Sequence, residues 1–411
     1  MRHQSRPARG WLLAALALLG GCDHPGHDPA QDRPTPPLAT ASAQPKASTA
    51  PPASAAEQGA PSPPREYPPL SAAEFAGLFS ELSEPDAHFF STNYVSNETS
   101  YLQVAEPLAR RARTGGVYLG VGPEQNFTYI ALSRPALAFI IDIRRQNALL
   151  HLLYKAIFDT AQTRGEFLAL LLGRPWSSAD APATATDLSA VFEHALRAPP
   201  DRDHFLNQHH RLVERIQRDY RVGLTAEDRE LLRGAHEAFF EGQLQTKFEL
   251  AESGRKYPAL REILSATSPS GQARGFLASE SAFRFVQRMH RQNRIIPVVG
   301  DFAGRHALQS LGRELRHRQL TVSVFYVSNV EQYVLAPPKW RQWLRNVRAL
   351  PSDPSSLFLR CYLDQGKRHP DQLPGHRTAT VLQEMQSFQR RQEKQPSTSF
   401  WQIATAGVLK D

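Results

Sequence analysis

The chain has 411 residues, 41% of them hydrophobic and 21% charged, with a formal net charge of +8. Arginines stand beside acids along most helical patterns, so the positive excess fits solubility or mild attraction to anionic surfaces and argues against a nucleic-acid site. Once a low-complexity N-terminal stretch is set aside, about 340 residues remain, enough for one large domain or for one with an inserted subdomain.

The first residues, "MRHQSRPARGWLLAALALLGGC", place Arg2, Arg6 and Arg9 ahead of an apolar run from Trp11 to Leu19. That run is too short to span a bilayer as a mature helix and reads as an export signal. Its end, Leu19-Gly20-Gly21-Cys22, resembles the lipobox of bacterial lipoproteins. The resemblance implies removal of residues 1–21 and acylation of Cys22, which would hold the protein on a membrane in the cell envelope, facing away from the cytoplasm. Residues 23–69 hold 13 of the 32 prolines and almost no large apolar side chains. A stretch of that kind cannot bury enough surface to offset its ordering entropy, so 22–69 is expected to be a lipid anchor and tether. With Cys22 acylated, Cys361 has no partner and no intramolecular disulfide forms. The run "SSLFLRCYL" makes Cys361 a small core residue.

Beyond residue 70 the chain turns helical. Ser71, with Glu74 three residues on, forms a capping box before Phe75, Leu78, Phe79 and Leu82. "NETSYLQVAEPLARRAR" reads as a second helix. Val117–Val121 is then a short strand, 124–132 a helix, Leu137–Ile141 a buried strand, and Asn147 starts another helix. From about His151 to Arg291 there is no strand signal, only amphipathic helical runs broken near Pro175, Pro199, Pro258 and Pro269. Alternation resumes with "RIIPVVGDF" as a strand, "GRHALQSLGRELRHR" as a helix, "LTVSVFYVS" as a strand, "PKWRQWLRNVRAL" as a helix and "SSLFLRCYL" as a strand. A helix around Val381–Arg391 and a last strand at Phe400–Ala404 are expected to close the chain. Strand and helix in alternation predict an α/β fold with a mostly parallel sheet. It would be split into a first half at 70–150, a helical insertion at 151–291 between the second and third strands, and a second half at 292–411.

Several residues could carry chemistry. "GVG" at Gly120-Val121-Gly122 follows the first strand, Asp142 ends the second, Gly300-Asp301 ends the third, and Asn329 with Glu331 follows the fourth. This arrangement resembles the Rossmann-like class I methyltransferases that bind S-adenosylmethionine. The resemblance implies that Gly120 and Gly122 let the backbone approach the methionine part of the cofactor and that Asp142 takes the ribose hydroxyls. Gly300 and Asp301 would then sit near the adenine, and Asn329 and Glu331 near the acceptor. The wording "GVGPEQNF" followed by "DIRR" also resembles a family of bacterial proteins without an assigned activity.

There are departures. Tyr118 stands where the superfamily has an acid for the cofactor's amino group, and Gln125 replaces the third glycine of a dinucleotide fingerprint. Pro123 removes a backbone N–H that a phosphate would use, and Glu124 adds negative charge at the helix start, which counts against NAD and FAD. A cationic or neutral head suits that end better. In "DRDHFLNQHH", His204 and His209 are five apart and diverge on a helix, so no metal site is expected. No Gly-x-Ser-x-Gly elbow, phosphate loop or zinc spacing occurs.

Plainer roles stay open for each residue. The glycines serve a tight turn equally well, Asp142 an ion pair with Arg144 or Arg145, Asp301 an N-cap, and Asn329 and Glu331 capping. Asn97 and Glu98 in "NYVSNETSY" echo the later "SNVEQY" and lie just before the first strand, where a segment covers the ligand in the methyltransferase superfamily. An envelope address separates the protein from S-adenosylmethionine, which is made in the cytosol. Two readings follow. One is an envelope lipoprotein that binds a nucleoside-type small molecule, with or without methyl transfer. The other is a non-enzymatic lipoprotein with a vestigial pocket, its helical insertion meeting an envelope partner.

Overall fold

A computed structural model describes residues 67–411, apart from 90, 92, 180–186, 249–255, 365 and 411. The expected signal, Cys22 and nearly all of the tether lie outside the described residues. The first half of the chain runs α1 (Ala72–Leu82), α2 (Ala105–Arg111), β1 (Val117–Gly120), α3 (Gln125–Ser133), β2 (Leu137–Asp142) and α4 (Arg145–Thr160). There follow α5 (Arg164–Leu171), α6 (Leu188–Ala195), α7 (Arg202–Asp219), α8 (Ala226–Gly242), α9 (Leu260–Ser265) and α10 (Glu280–Arg291). The remainder is β3 (Ile295–Val299), α11 (Ala307–His317), β4 (Val322–Ser328), α12 (Glu331–Val334) and α13 (Lys339–Ala349), then β5 (Ser352–Leu363), β6 (Thr378–Glu384), α14 (Met385–Lys394) and α15 (Phe400–Thr405).

The six strands form one sheet in the order β3-β2-β1-β4-β5-β6. All neighbours are parallel except β5 and β6, which are antiparallel. β1, β2 and β3 are buried along their whole length, as continuous apolar runs in parallel strands require when helices cover both faces. One set of helices, α3, α4 and α10, packs together, and a second set runs α1, α11, α13 and α14. Right-handed crossovers put the two sets on opposite faces of the sheet. On the first face Phe127 is ringed by His151, Tyr154, Phe158, Phe276 and His290, each centroid within 5.5 Å of its own. Between β2 and β3 the described residues add only isolated bridges, Lys247 to Ala259 and Thr267 to Ala273, to the helices.

The capping box at Ser71 and Glu74 forms as expected, and Cys361 is buried on β5. Three local expectations are corrected. The segment around Val381 is strand β6 before it becomes α14, because Thr378–Glu384 pairs residue for residue with Leu357–Leu363 and tertiary pairing outweighs the helical spacing of its apolar side chains. Phe400–Thr405 is a helix, because the Ser399 hydroxyl accepts the Gln402 N–H at its N-terminus. The second expected helix opens with a 3-10 turn at Tyr101–Val104.

Glu331 is also corrected. It does not face an acceptor; it is fully buried, and its carboxylate takes Nε and Nη2 of Arg360, the latter at 2.9 Å, together with Trp343 Nε1 at 3.0 Å. The pair ties the start of α12 to β5, beneath a stack of Trp343 on Phe302. Removing one partner of such a pair strands a buried charge, at a cost of about 3–5 kcal/mol. Arg360→Met and Glu331→Leu should each cost that much in urea unfolding, and the double variant should regain most of it. If the double variant loses the sum of the two, the pair is not the coupled unit described.

Candidate functional site

Strand order reverses at β1, whose neighbours β2 and β4 carry the chain away in opposite directions. A crevice opens there at the carboxyl ends of the strands, as in open α/β sheets generally. Its cavity of about 340 Å³ falls in the size range of small-molecule sites. Each strand end contributes. Gly122 and Pro123 follow β1, Asp142 and Arg144 follow from β2, Gly300 and Asp301 from β3, and Ser328 and Asn329 from β4. Asn97 and Glu98, from the segment ahead of β1, line the same cleft, and Tyr333 and Lys339 stand at its α12–α13 side.

The turn after β1 is held from inside. Asn126 Nδ2 donates to the carbonyls of Val121, Gly122 and Pro123 at 3.0, 3.0 and 2.8 Å, and its Oδ1 accepts the Tyr118 hydroxyl at 2.8 Å. His151 Nε2 lies 2.8 Å from the Gly122 oxygen. Burial lowers the His151 pKa to about 4, so the ring is neutral at pH 7 and its Nε2–H tautomer donates. Gly122 has φ +78° with open space where a Cβ would stand, so its backbone faces the cleft bare. Gly120 differs: its own Cβ would collide with Asn126 and Tyr118, and it does not line the cleft. Its glycine serves packing, which corrects the expected cofactor contact.

Asp142 lines the cleft but is already engaged. Arg144 donates Nε and its backbone N–H to Oδ1 at 2.9 and 3.0 Å, and Nη2 to Oδ2 at 2.8 Å. With about two lone-pair sites per oxygen, one place remains, on Oδ2, so both hydroxyls of a ribose cannot bind while Arg144 stays. Asp301 caps no helix: its Oδ1 accepts the Ala303 N–H at 2.8 Å, its own N–H donates to Glu84, and the residue before α11 is His306. Gly300 packs against Ala307 and Ile141, whose side chains would meet a Cβ. Asn329 lines the cleft beside Ser328, whose hydroxyl oxygen lies 3.3 Å from its Oδ1.

The most distinctive groups are two acids. Glu98 is 2% exposed; its Oε1 accepts the hydroxyls of Tyr326, at 2.8 Å, and Ser328, and its Oε2 accepts Gln125 Nε2 at 3.0 Å. Burial raises its pKa, against the lowering effect of these bonds, and no cation pairs with it among the described residues. Ser328 reaches it from a backbone with φ +51°, a strained setting that clusters at functional sites. Glu124, behind the turn, takes the Ser96 N–H on both oxygens at 3.1 and 3.2 Å. Its pKa rises to about 7, chiefly from burial, with Glu98 adding to the rise. The sequence marks Glu98 by its echo of the later "SNVEQY" and by its place in the segment just ahead of β1. The signal for the rest of the network was the pair of amides in "EQNF", polar side chains on a helix buried all round.

Among the described residues no cluster of His, Cys, Asp and Glu could hold a metal ion. Fold and cleft together define an α/β domain with a crevice at its strand-order reversal. The chain belongs to the family described as a domain of unknown function (DUF7790), which it matches over residues 93–407, from the cleft segment ahead of β1 to the end of the fold. No curated protein matches it.

Glu124 makes stability depend on pH. Between about pH 4.5 and about pH 7 the folded state keeps a proton that the unfolded state releases, so this group's contribution falls as pH rises through that window. Glu124→Gln removes the effect. Thermal melts should show the variant gaining on the wild type from the lower to the upper end of the window, and a constant difference would refute the raised pKa.

Proposed function

We propose that the crevice binds a small molecule with a cationic head and a nucleoside-like body, of the S-adenosylmethionine type, in an envelope lipoprotein anchored through Cys22. The observation that carries this reading is Glu98, a buried acid in the lining of the cleft with hydroxyl and amide donors but no cation among the described residues. A carboxylate in that setting is stabilised by a positive ligand more than by any neutral one. It also supplies, from the segment ahead of β1, the negative charge that Tyr118 does not.

Other features support the reading. The strand order matches that of Rossmann sheets, with β6 reversed as the departure. In this reading the helices between β2 and β3 are an insertion into a methyltransferase-like fold. Pro123 and the three inward-facing carbonyls leave no cradle for a pyrophosphate, in keeping with a ligand other than NAD or FAD. Phe89, Ile141, Phe302 and Val330 give the cleft apolar walls for a base. Asn329 stands where an acceptor would approach if the bound group is transferred. The Asp142–Arg144 pair favours a second reading, a vestigial pocket in a lipoprotein that acts through an envelope partner, because it occupies the acid expected to hold the ribose.

Calorimetric titration of the full chain with S-adenosylmethionine and S-adenosylhomocysteine decides between them. Binding in the micromolar range is expected, tighter for the sulfonium, with Glu98→Gln weakening it at least about tenfold. No binding to a protein shown by circular dichroism to be folded would favour the vestigial pocket. Unchanged affinity in Glu98→Gln would remove Glu98 from the site.

A further inference from the structure

We propose that the helix layer formed by α11, α13 and α14 docks the domain on an anionic phospholipid surface, with the mouth of the cleft at the edge of the contact. These three helices carry nine Lys and Arg against two Glu, an excess of seven in a chain whose whole formal excess is eight. α13 has four cations and no acid. Arg341, Arg345 and Arg348 recur at the spacing of one helix face and are all exposed, while Trp340, Trp343 and Val347 bury the other face. Arg341 makes no ion pair among the described residues, and the two acids of the layer are already used, Glu314 by Arg318 and Glu393 by Arg348.

The helices join into one surface. α11 and α13 approach so closely at Gly312 that a Cβ there would collide with the Ala349 carbonyl, and Gln389 of α14 donates to the Val347 oxygen. The other set of helices is mixed in charge: α10 carries three arginines against one acid. α8, which packs on α4 in that set, carries five acids against two arginines. A layer with the cationic excess of α11, α13 and α14 is attracted to anionic headgroups, each Lys or Arg adding roughly a fivefold factor.

A bilayer is the polyanion that fits the chain's own layout. The described chain begins at Tyr67, whose hydroxyl accepts Arg318 Nη1 at 3.0 Å just past α11. Residue 67, among the last of the expected tether, therefore lies beside this layer. Lys339, the first residue of α13, lines the cleft, and Tyr333, 44% exposed, stands beside it as an aromatic suited to a headgroup region. The choice of a bilayer rests on the proposed anchor at Cys22. The layer's charge excess does not.

The test uses the full chain carrying Cys22→Ser, so that acylation contributes nothing, and sedimentation with vesicles of phosphatidylcholine alone or mixed with phosphatidylglycerol. Binding should require phosphatidylglycerol and fall with salt. Arg341→Gln/Arg345→Gln/Arg390→Gln should lower the partition roughly a hundredfold. A control triple, Arg211→Gln/Arg229→Gln/Arg233→Gln on α7 and α8, removes the same charge from exposed positions and should leave binding unchanged. Equal losses in the two triples would reduce the effect to net charge and overturn the proposal, as would binding to nucleic acid with none to vesicles. Titration of the cleft ligand should be the same in both triples, so failure of the ligand reading and failure of the docking reading are separable.

Discussion

The strand-order reversal at β1 is the constraint on which the rest depends. Because β2 and β4 flank β1 and leave it in opposite directions, the loops after the three strands part and leave a space that no crossover helix fills. A turn placed at such a split has few neighbours on its outer side, so it must be held from within. Asn126 and His151 do this, spending three carbonyls on the interior and leaving Gly122 as the bare edge of the space. The same reversal sends α3 and α4 to one face and α11 and α13 to the other. The cleft and the basic layer are thus two consequences of one topology.

Within that space the two kinds of acid differ in what they still require. Asp142 has its counter-charge in Arg144, two residues on, and gains little from any further cation. Glu98 and Glu124 have only neutral donors. Their burial is tolerated because hydroxyls, an amide and a backbone N–H replace part of the lost hydration, and because a raised pKa lets a proton stand in for a cation. The resemblance gave the ribose role to Asp142 and only a covering segment to Glu98, whereas the physical chemistry reverses their weight. A ligand's charge would be felt most strongly at Glu98, not at the residue in the expected ribose position.

What the sequence made legible follows from the range of the forces involved. Strands β1 to β5 and most helices were readable, because buried parallel strands and amphipathic helices leave local periodicity. The terminal pair β6 and α15 was not, because β6 is decided by pairing with β5 and α15 by one serine cap. Glycines marked the cleft, but sequence could not tell Gly122, which faces it, from Gly120, which packs behind it. Glu331 shows the same limit from the other side. Its place after β4 fitted a functional residue, and only the fold brings Arg360, 29 positions along the chain, onto its carboxylate. Buried polar contacts between distant segments have no periodicity to betray them.

The basic layer need not bind strongly to matter. If the chain is tethered at a membrane as proposed, the second contact is intramolecular, and its effective concentration is set by the tether's reach and not by protein abundance. A patch too weak to recruit a free protein then suffices to choose an orientation. With α13 against the headgroups, the acidic α8 would be held away from an anionic surface, and like-charge repulsion would reinforce the same pose. Lys339 belongs to both the cleft and the layer, so that pose would place the cleft's mouth where a membrane-bound partner or acceptor arrives already confined to two dimensions. If residues 22–69 tether the chain to a membrane, that stretch and the arginine-rich helix answer one physical problem, that of presenting a crevice to a surface without spanning it.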